Sequence, residues 1–180
     1  LDKRKAPVEV DEKQIQQFEQ AMMMRVVDTF KDHPALDRWQ VFNEAFFSVF
    51  GECPLPDYEF IQNSVRLVHE HDPRHEIMMT DSGELSTWFQ PARLADVLGV
   101  SMYRVTWNSF WGYFYYPLPP SFYRTKADLI RPLVNDVIVS ELQAEPWTPS
   151  TMLTTSLEQQ YHSMNPKRFQ RNIEYVRQTG

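Results

Sequence analysis

Four times along this chain a short run of apolar, β-branched or aromatic residues is followed by a segment with apolar residues at helical spacing, mostly with short connections between them. That alternation restricts the fold to βαβ units on a parallel sheet, because parallel neighbours need a crossover and the crossover is normally a helix. Right-handed crossovers put the C-terminal end of every strand on one rim. The spacing predicts a helix over 14–30, with Ile15, Phe18, Ala21, Met22, Val26 and Phe30 on one face, then a strand over 38–43. A helix over 57–70 follows Pro56, with Tyr58, Ile61, Val65 and Val68 on one face, and a strand over 76–80 comes next. Ser86 reads as the cap of a helix that runs to 97 and ends at Gly99, ahead of a strand over 100–105. Thr125 reads as the cap of a helix over 126–134, before a strand over 137–140 that is apolar enough to be covered on both faces. A last helix spans 166–178. Residues 106–123 read as a long aromatic connection, a length at which loops are often functional.

Composition narrows the function. Acidic residues outnumber basic ones by 24 to 18, and the basic ones are scattered, so the footprint of a nucleic-acid binder is missing. The single cysteine, Cys53, has no internal disulfide partner, and no Cys/His spacing matches a structural zinc site. No metal or cofactor is expected. The uncharged stretch 105–123 contains Asn108, Ser109, Gly112, Pro117, Pro119 and Pro120, which would break a membrane-spanning helix. No basic and apolar leader follows Leu1, and the sequence sets neither localisation nor oligomeric state. His69, His71 and His75 read as an exposed helix end and turn, and Met22, Met23 and Met24 as helix and core packing.

Chemistry in such folds sits where the strands end. The first strand ends in Asn43-Glu44, the second in Asp81-Ser82-Gly83-Glu84, the third includes Tyr103-Arg104 and runs to Trp107, and the fourth ends in Glu141-Leu142-Gln143. Two carboxylates from different strands can divide the work of glycoside hydrolysis, one protonating the leaving oxygen and the other attacking the anomeric carbon. Tyr103 and Asn43 are placed to supply hydrogen bonds to such a pair. Glu145 competes with Glu141, but Glu141 directly follows the apolar strand, whereas Glu145 lies in the loop with Pro146. Asp81 and Glu84 are secondary candidates for substrate contact beside an ordinary capping role. Trp107 and Trp147, next to strand ends, are the candidate sugar-stacking walls, while most of the other rings in 106–123 are expected to pack against helices.

These residues also carry a resemblance. Trp39-Gln40-Val41-Phe42-Asn43-Glu44 resembles the strand-four Asn-Glu motif of the glycoside hydrolase clan A barrels, and Val137-Ile138-Val139-Ser140-Glu141 resembles the strand-seven nucleophile segment. Thr80-Asp81-Ser82-Gly83-Glu84-Leu85-Ser86-Thr87-Trp88, Met102-Tyr103-Arg104-Val105 and Ser140-Glu141-Leu142-Gln143-Ala144-Glu145-Pro146-Trp147 are similar to uncharacterised bacterial cellulase-like members of that clan. The resemblance implies a (β/α)₈ TIM barrel and a retaining glycosidase acting on a carbohydrate. It implies Glu44 as acid/base, Glu141 as nucleophile, Tyr103 as its hydrogen-bond donor and Asn43 on the sugar 2-hydroxyl. Ala45 departs from the proline common after the acid/base glutamate.

A complete barrel needs about 250 residues and eight strands. Four βα units imply a partial barrel over 1–180, strands four to seven, with residues 3–10 as the remnant of the preceding loop. Open edges and apolar surface predict association of these residues when expressed alone. Two other functions fit the same rim. One is a non-catalytic carbohydrate-binding barrel, which Ala45 favours, and the other is a barrel lyase or isomerase.

Overall fold

Asp11 starts the first helix by accepting the Lys13 N–H on its side chain, and the computed structural model, which describes residues 11–49 and 57–179, runs that helix as α1 over Glu12–Phe30. Residues 3–10, Cys53 and Pro56 lie outside the described residues. Strand β1 (Arg38–Gln40) and helix α2 (Tyr58–His71) follow, then β2 (Glu76–Ser82), a single turn α3 (Phe89–Ala92) and β3 (Val97–Met102). Next come β4 (Val105–Asn108), β5 (Gly112–Tyr115), α4 (Pro120–Ile130), β6 (Asp136–Leu142), α5 (Leu157–Gln160) and α6 (Pro166–Val176). The sheet order is β1-β2-β3-β6, all parallel, and β4 and β5 form a separate antiparallel hairpin.

Pairing fixes two rows of side chains, since partners across a parallel ladder point to the same face. Met79, Leu98 and Val137 make one row and Val100 and Val139 another on the helix side, where Met79 joins Ile61, Val65 and Val68 and the others join Trp88, Tyr123 and Ile130. The opposite row holds Thr80, Gly99 and Ser101. Along β6 the register shifts between Val100 and Ser101, so that Val139 pairs with Val100 but Glu141 pairs with Ser101. Ser140 is therefore an extra residue. Without this bulge Glu141 would pair with Met102 and face the helices; with it, Glu141 joins the inner row. Gly99 makes room for the bulge, because a Cβ there would lie 2.7 Å from Ser140 Oγ and 2.9 Å from Ser140 Cβ. Gly83 is tighter still, with its N–H on Ser101 O and a hypothetical Cβ only 2.1 Å from that oxygen.

Several sequence expectations are corrected. Gly99 lies inside β3 rather than ending a helix, and α3 is one turn whose N-cap is Trp88, not Ser86. Val97 and Leu98 are apolar enough for helix or strand, and burial on both faces decides for the strand. Thr125 lies inside α4, which starts five residues earlier with Pro120 in its first turn. The aromatic connection is a hairpin: Asn108 Oδ1 accepts the Phe110 and Trp111 N–H groups, and Gly112 closes the turn at φ 69°. Strand β6 is half-buried rather than covered on both faces, as befits an edge of this sheet. Helix α1 is turned unexpectedly. It meets the rest of the fold through Gln20, Met24 and Val27, so Ile15, Phe18, Met22, Val26 and Phe30 are exposed, Phe18 to 69% and Met22 to 62%.

No helix among the described residues is long and apolar enough to cross a membrane. His71 Nδ1 lies 3.2 Å from Asp28, and His75 Nδ1 lies 2.6 Å from the buried Asp72, which also accepts from Trp39 Nε1. No group of three or more His, Cys, Asp or Glu among the described residues is placed to hold a metal.

Candidate active site

The rim at the C-terminal strand ends gathers Glu44, Glu141, Tyr103, Asn43 and Trp147. Regular pairing of β1 stops at Gln40, although Val41 still donates its N–H to Met78 O, and the chain then turns through Phe42 (φ 62°) and Glu44 (φ 47°). A left-handed conformation costs a non-glycine residue roughly 1–2 kcal/mol, so the surroundings must hold it. Thr80 does so from the inner row of β2. Its Oγ1 accepts the Glu44 N–H at 2.9 Å and donates to Asn43 Oδ1 at 3.0 Å. Gln40 Nε2 donates to the same Asn43 oxygen, which leaves the exposed Asn43 amide nitrogen without a hydrogen bond to the described residues.

The Glu44 side chain is half-buried and accepts a 2.5 Å hydrogen bond from Ser101 Oγ. Burial pushes its pKa above the ordinary carboxylate range, the Ser101 hydroxyl opposes that shift, and the negative charges of Glu141 and Asp81 add to it. Glu141 accepts the Tyr103 phenol at 3.2 Å. The Tyr103 hydroxyl is held protonated by burial and by the charges of Glu145, Glu141 and Glu44. Each carboxyl group thus accepts one hydroxyl donor, and Glu44 is biased towards its acid form by burial. A proton donor of this kind beside a second carboxyl group is what combined acid and nucleophilic chemistry needs.

Trp147 packs edge-on against Tyr103, with centroids 5.6 Å apart, and its Nε1 donates to Glu145 Oε1. Glu145 is thereby occupied. Trp107 sits in β4, paired with Tyr113 and half-buried.

The Asp81 and Glu84 carboxyl groups are engaged by partners within the fold. Asp81 pairs with Val100 in the helix-side row, buried at 2% exposure. Its acidity is weakened chiefly by that burial, against hydrogen bonds from Ser86 and the Ser82 N–H and the charge of Lys126. Glu84 Oε1 receives the Tyr123 phenol at 2.6 Å and the Tyr103 N–H at 3.1 Å, and burial lifts its pKa to about 7.

The sequence reading misses Thr80, Ser101 and Gln143. Gln143 is fully buried; its Oε1 accepts both the Arg104 and Val105 N–H groups, and its Nε2 donates to Val105 O. The signal for Ser101 was legible in Leu98-Gly99-Val100-Ser101-Met102, where large and small residues alternate at the strand period.

No family model matches the sequence. No curated protein matches it. Solved structures do. Xylanase 10B from Thermotoga maritima superposes with a TM-score of 0.54 at 17% identity over 87% of this chain and 50% of its own. Xylanase 10B from Thermotoga petrophila in complex with xylobiose superposes with a TM-score of 0.54 at 16% identity, over 96% of this chain and 53% of its own. A β-glucuronidase from Ruminococcus gnavus in complex with D-glucuronic acid gives 0.54 at 15% identity, over 92% of this chain and 26% of its own. This chain spans about half the length of these two xylanases. At such identities the likeness is one of fold: an α/β architecture matching TIM-barrel glycoside hydrolases, in part of a barrel.

Proposed function

We propose that Glu44 and Glu141 are the acid/base and nucleophile of a retaining glycoside hydrolase that cleaves an O-glycosidic bond of an oligo- or polysaccharide. The observation that carries the reading is the convergence of two strand-end carboxyl groups on one rim, with Ser101 bonded to Glu44 and paired with Glu141. Glu44 is driven towards its protonated form by burial and by Glu141, while Glu141 faces the Tyr103 phenol on the same rim.

In the first step Glu141 attacks the anomeric carbon as the Glu44 proton passes to the leaving oxygen, forming a glycosyl ester and releasing the aglycone. In the second, the Glu44 carboxylate takes a proton from water, whose oxygen displaces Glu141 from the sugar and restores both groups. No cofactor takes part. In this reading the Asn43 amide nitrogen serves the sugar 2-hydroxyl, and the Trp147 indole beside Tyr103 is an apolar wall for a sugar ring. Trp107 is a second candidate wall.

The test is the stereochemistry of the first-formed product, followed by proton NMR of the anomeric signal in the whole protein. Retention is expected, and inversion would refute the mechanism. Glu141→Gln should lower turnover by about 10⁴-fold or more. Glu44→Ala should regain activity with azide on substrates whose leaving group needs no proton.

A further inference from the structure

The rim depends on where Tyr103 stands, and Tyr103 lies between two strands rather than within one. Strand β3 ends at Met102 and β4 begins at Val105, so the backbone at Tyr103 and Arg104 is outside the ladders that hold its neighbours. Side chains hold the two N–H groups there. Glu84 Oε1 accepts the Tyr103 N–H, and Gln143 Oε1 accepts the Arg104 N–H. The Arg104 guanidinium donates to Tyr123 Oη and to the carbonyls of Tyr116 and Leu118. Tyr123 in turn donates to Glu84 Oε1, which closes a loop of bonds around the Tyr103 main chain.

We propose that Glu84 is a positioning residue for the nucleophile: by holding the Tyr103 N–H it sets where the Tyr103 phenol meets Glu141. The proposal rests on the reading of Glu141 as the nucleophile. Its logic is geometric. A phenol sits at the far end of a side chain with two torsions, so a small displacement of its backbone moves the hydroxyl out of reach of a carboxylate now 3.2 Å away. Glu84 touches neither Glu44 nor Glu141 in any hydrogen bond among the described residues; its effect passes through Tyr103. Its burial under Tyr123 excludes water, which would otherwise compete for the Tyr103 N–H.

The test measures nucleophile chemistry alone, with activated 2-deoxy-2-fluoro glycosides of xylose, glucose and galactose that carry dinitrophenolate as leaving group. In this reaction a Glu141 oxygen bonds to the anomeric carbon while the bond to the phenolate oxygen breaks, its electron pair leaving with the phenolate, and no acid is needed. Adduct formation on the whole protein is followed by intact mass. Glu84→Leu should slow labelling about 10-fold or more, whereas Glu84→Gln, which keeps the acceptor oxygen, should stay within about 3-fold of wild type. Tyr103→Phe should also slow labelling, and adding Glu84→Leu to it should cost less than about 2-fold further, because the two act through one contact. If Glu84→Leu does not fold, Glu84→Met, close in length and likewise without the acceptor oxygen for the Tyr103 N–H, takes its place in the same cycle.

Labelling by Glu84→Leu at the wild-type rate, or a penalty that multiplies in full on Tyr103→Phe, would overturn the proposal while leaving the nucleophile intact. A wild type that forms no adduct with any of the three glycosides removes the nucleophile assignment, and this proposal with it.

Discussion

Ser101 Oγ donates to Glu44 at 2.5 Å while Ser101 is itself the strand partner of Glu141, so one serine stands between the two carboxylates of the rim. Its hydroxyl draws the Glu44 pKa down against burial. Ser101→Ala should therefore move the Glu44 titration to higher pH and carry the basic limb of the kcat/KM profile with it, since the proton donor stays loaded further into the alkaline range. Glu141→Gln removes a negative charge and should move the Glu44 titration the other way. Carbon-13 NMR of the labelled glutamates reads both, and a Glu44 titration unmoved by either change would contradict this account.

Gly99 is fixed by space. Adding its methyl group, in Gly99→Ala, presses on the Ser140 side chain from 2.7 Å. Overpacking of this kind costs about 1–3 kcal/mol. A lowered melting temperature together with weakened activity is expected, and full activity at reduced stability would show that the bulge tolerates the shift.

Glu84 gives stability a pH dependence of definite sign. Its folded pKa of about 7 lies above the ordinary 4.5, because burial favours the neutral acid. Between those values the folded chain keeps a proton that the unfolded chain releases, so stability should fall as pH rises from about 4.5 to 7. Glu84→Gln should flatten that decline. Lys126, whose pKa burial lowers to about 8, acts only above that window. Melting curves at pH 4.5, 6 and 8 for both proteins check it.

Trp147→Ala should raise KM on an oligosaccharide about 10-fold, since stacking surface of this kind is worth roughly 1–2 kcal/mol. Its removal also loosens Tyr103, so kcat should drop in parallel. Steady-state kinetics with unchanged KM would remove this ring from the substrate path.

The exposed stripe of α1 should make the 180-residue chain associate when expressed alone. Phe18→Glu with Met22→Lys should shift sedimentation towards monomer without loss of helical signal. A wild-type chain that sediments as a monomer would contradict the expectation.

What the sequence revealed divides along a physical line. The amphipathic face of α2, with Ile61, Val65 and Val68 buried, follows from periodicity, as do the four parallel strands. Glu44, Glu141 and Tyr103 were legible as strand-end residues, and the structure brings all three to one rim. Periodicity says nothing of direction around α1, where Gln20 rather than Phe18 faces the fold. Nor does it distinguish a carboxylate that meets solvent from one that caps a backbone, which is why the partners of Asp81 and Glu84 are not legible in the sequence. The left-handed turns at Phe42 and Glu44 have no local signature, because Thr80, far along the chain but in the neighbouring strand β2, stabilises them.

The additional residue at Ser140 means that this site is indexed by count as well as by identity. Removing that one codon would leave every other side chain of the rim encoded, yet would carry Glu141 to the opposite layer of the sheet. Two sequences related in this way would align almost perfectly and still differ in whether a nucleophile faces the cleft at all. A comparison of distant relatives is safest when it matches the ladder partner of the glutamate, here Ser101, before it matches the glutamate itself.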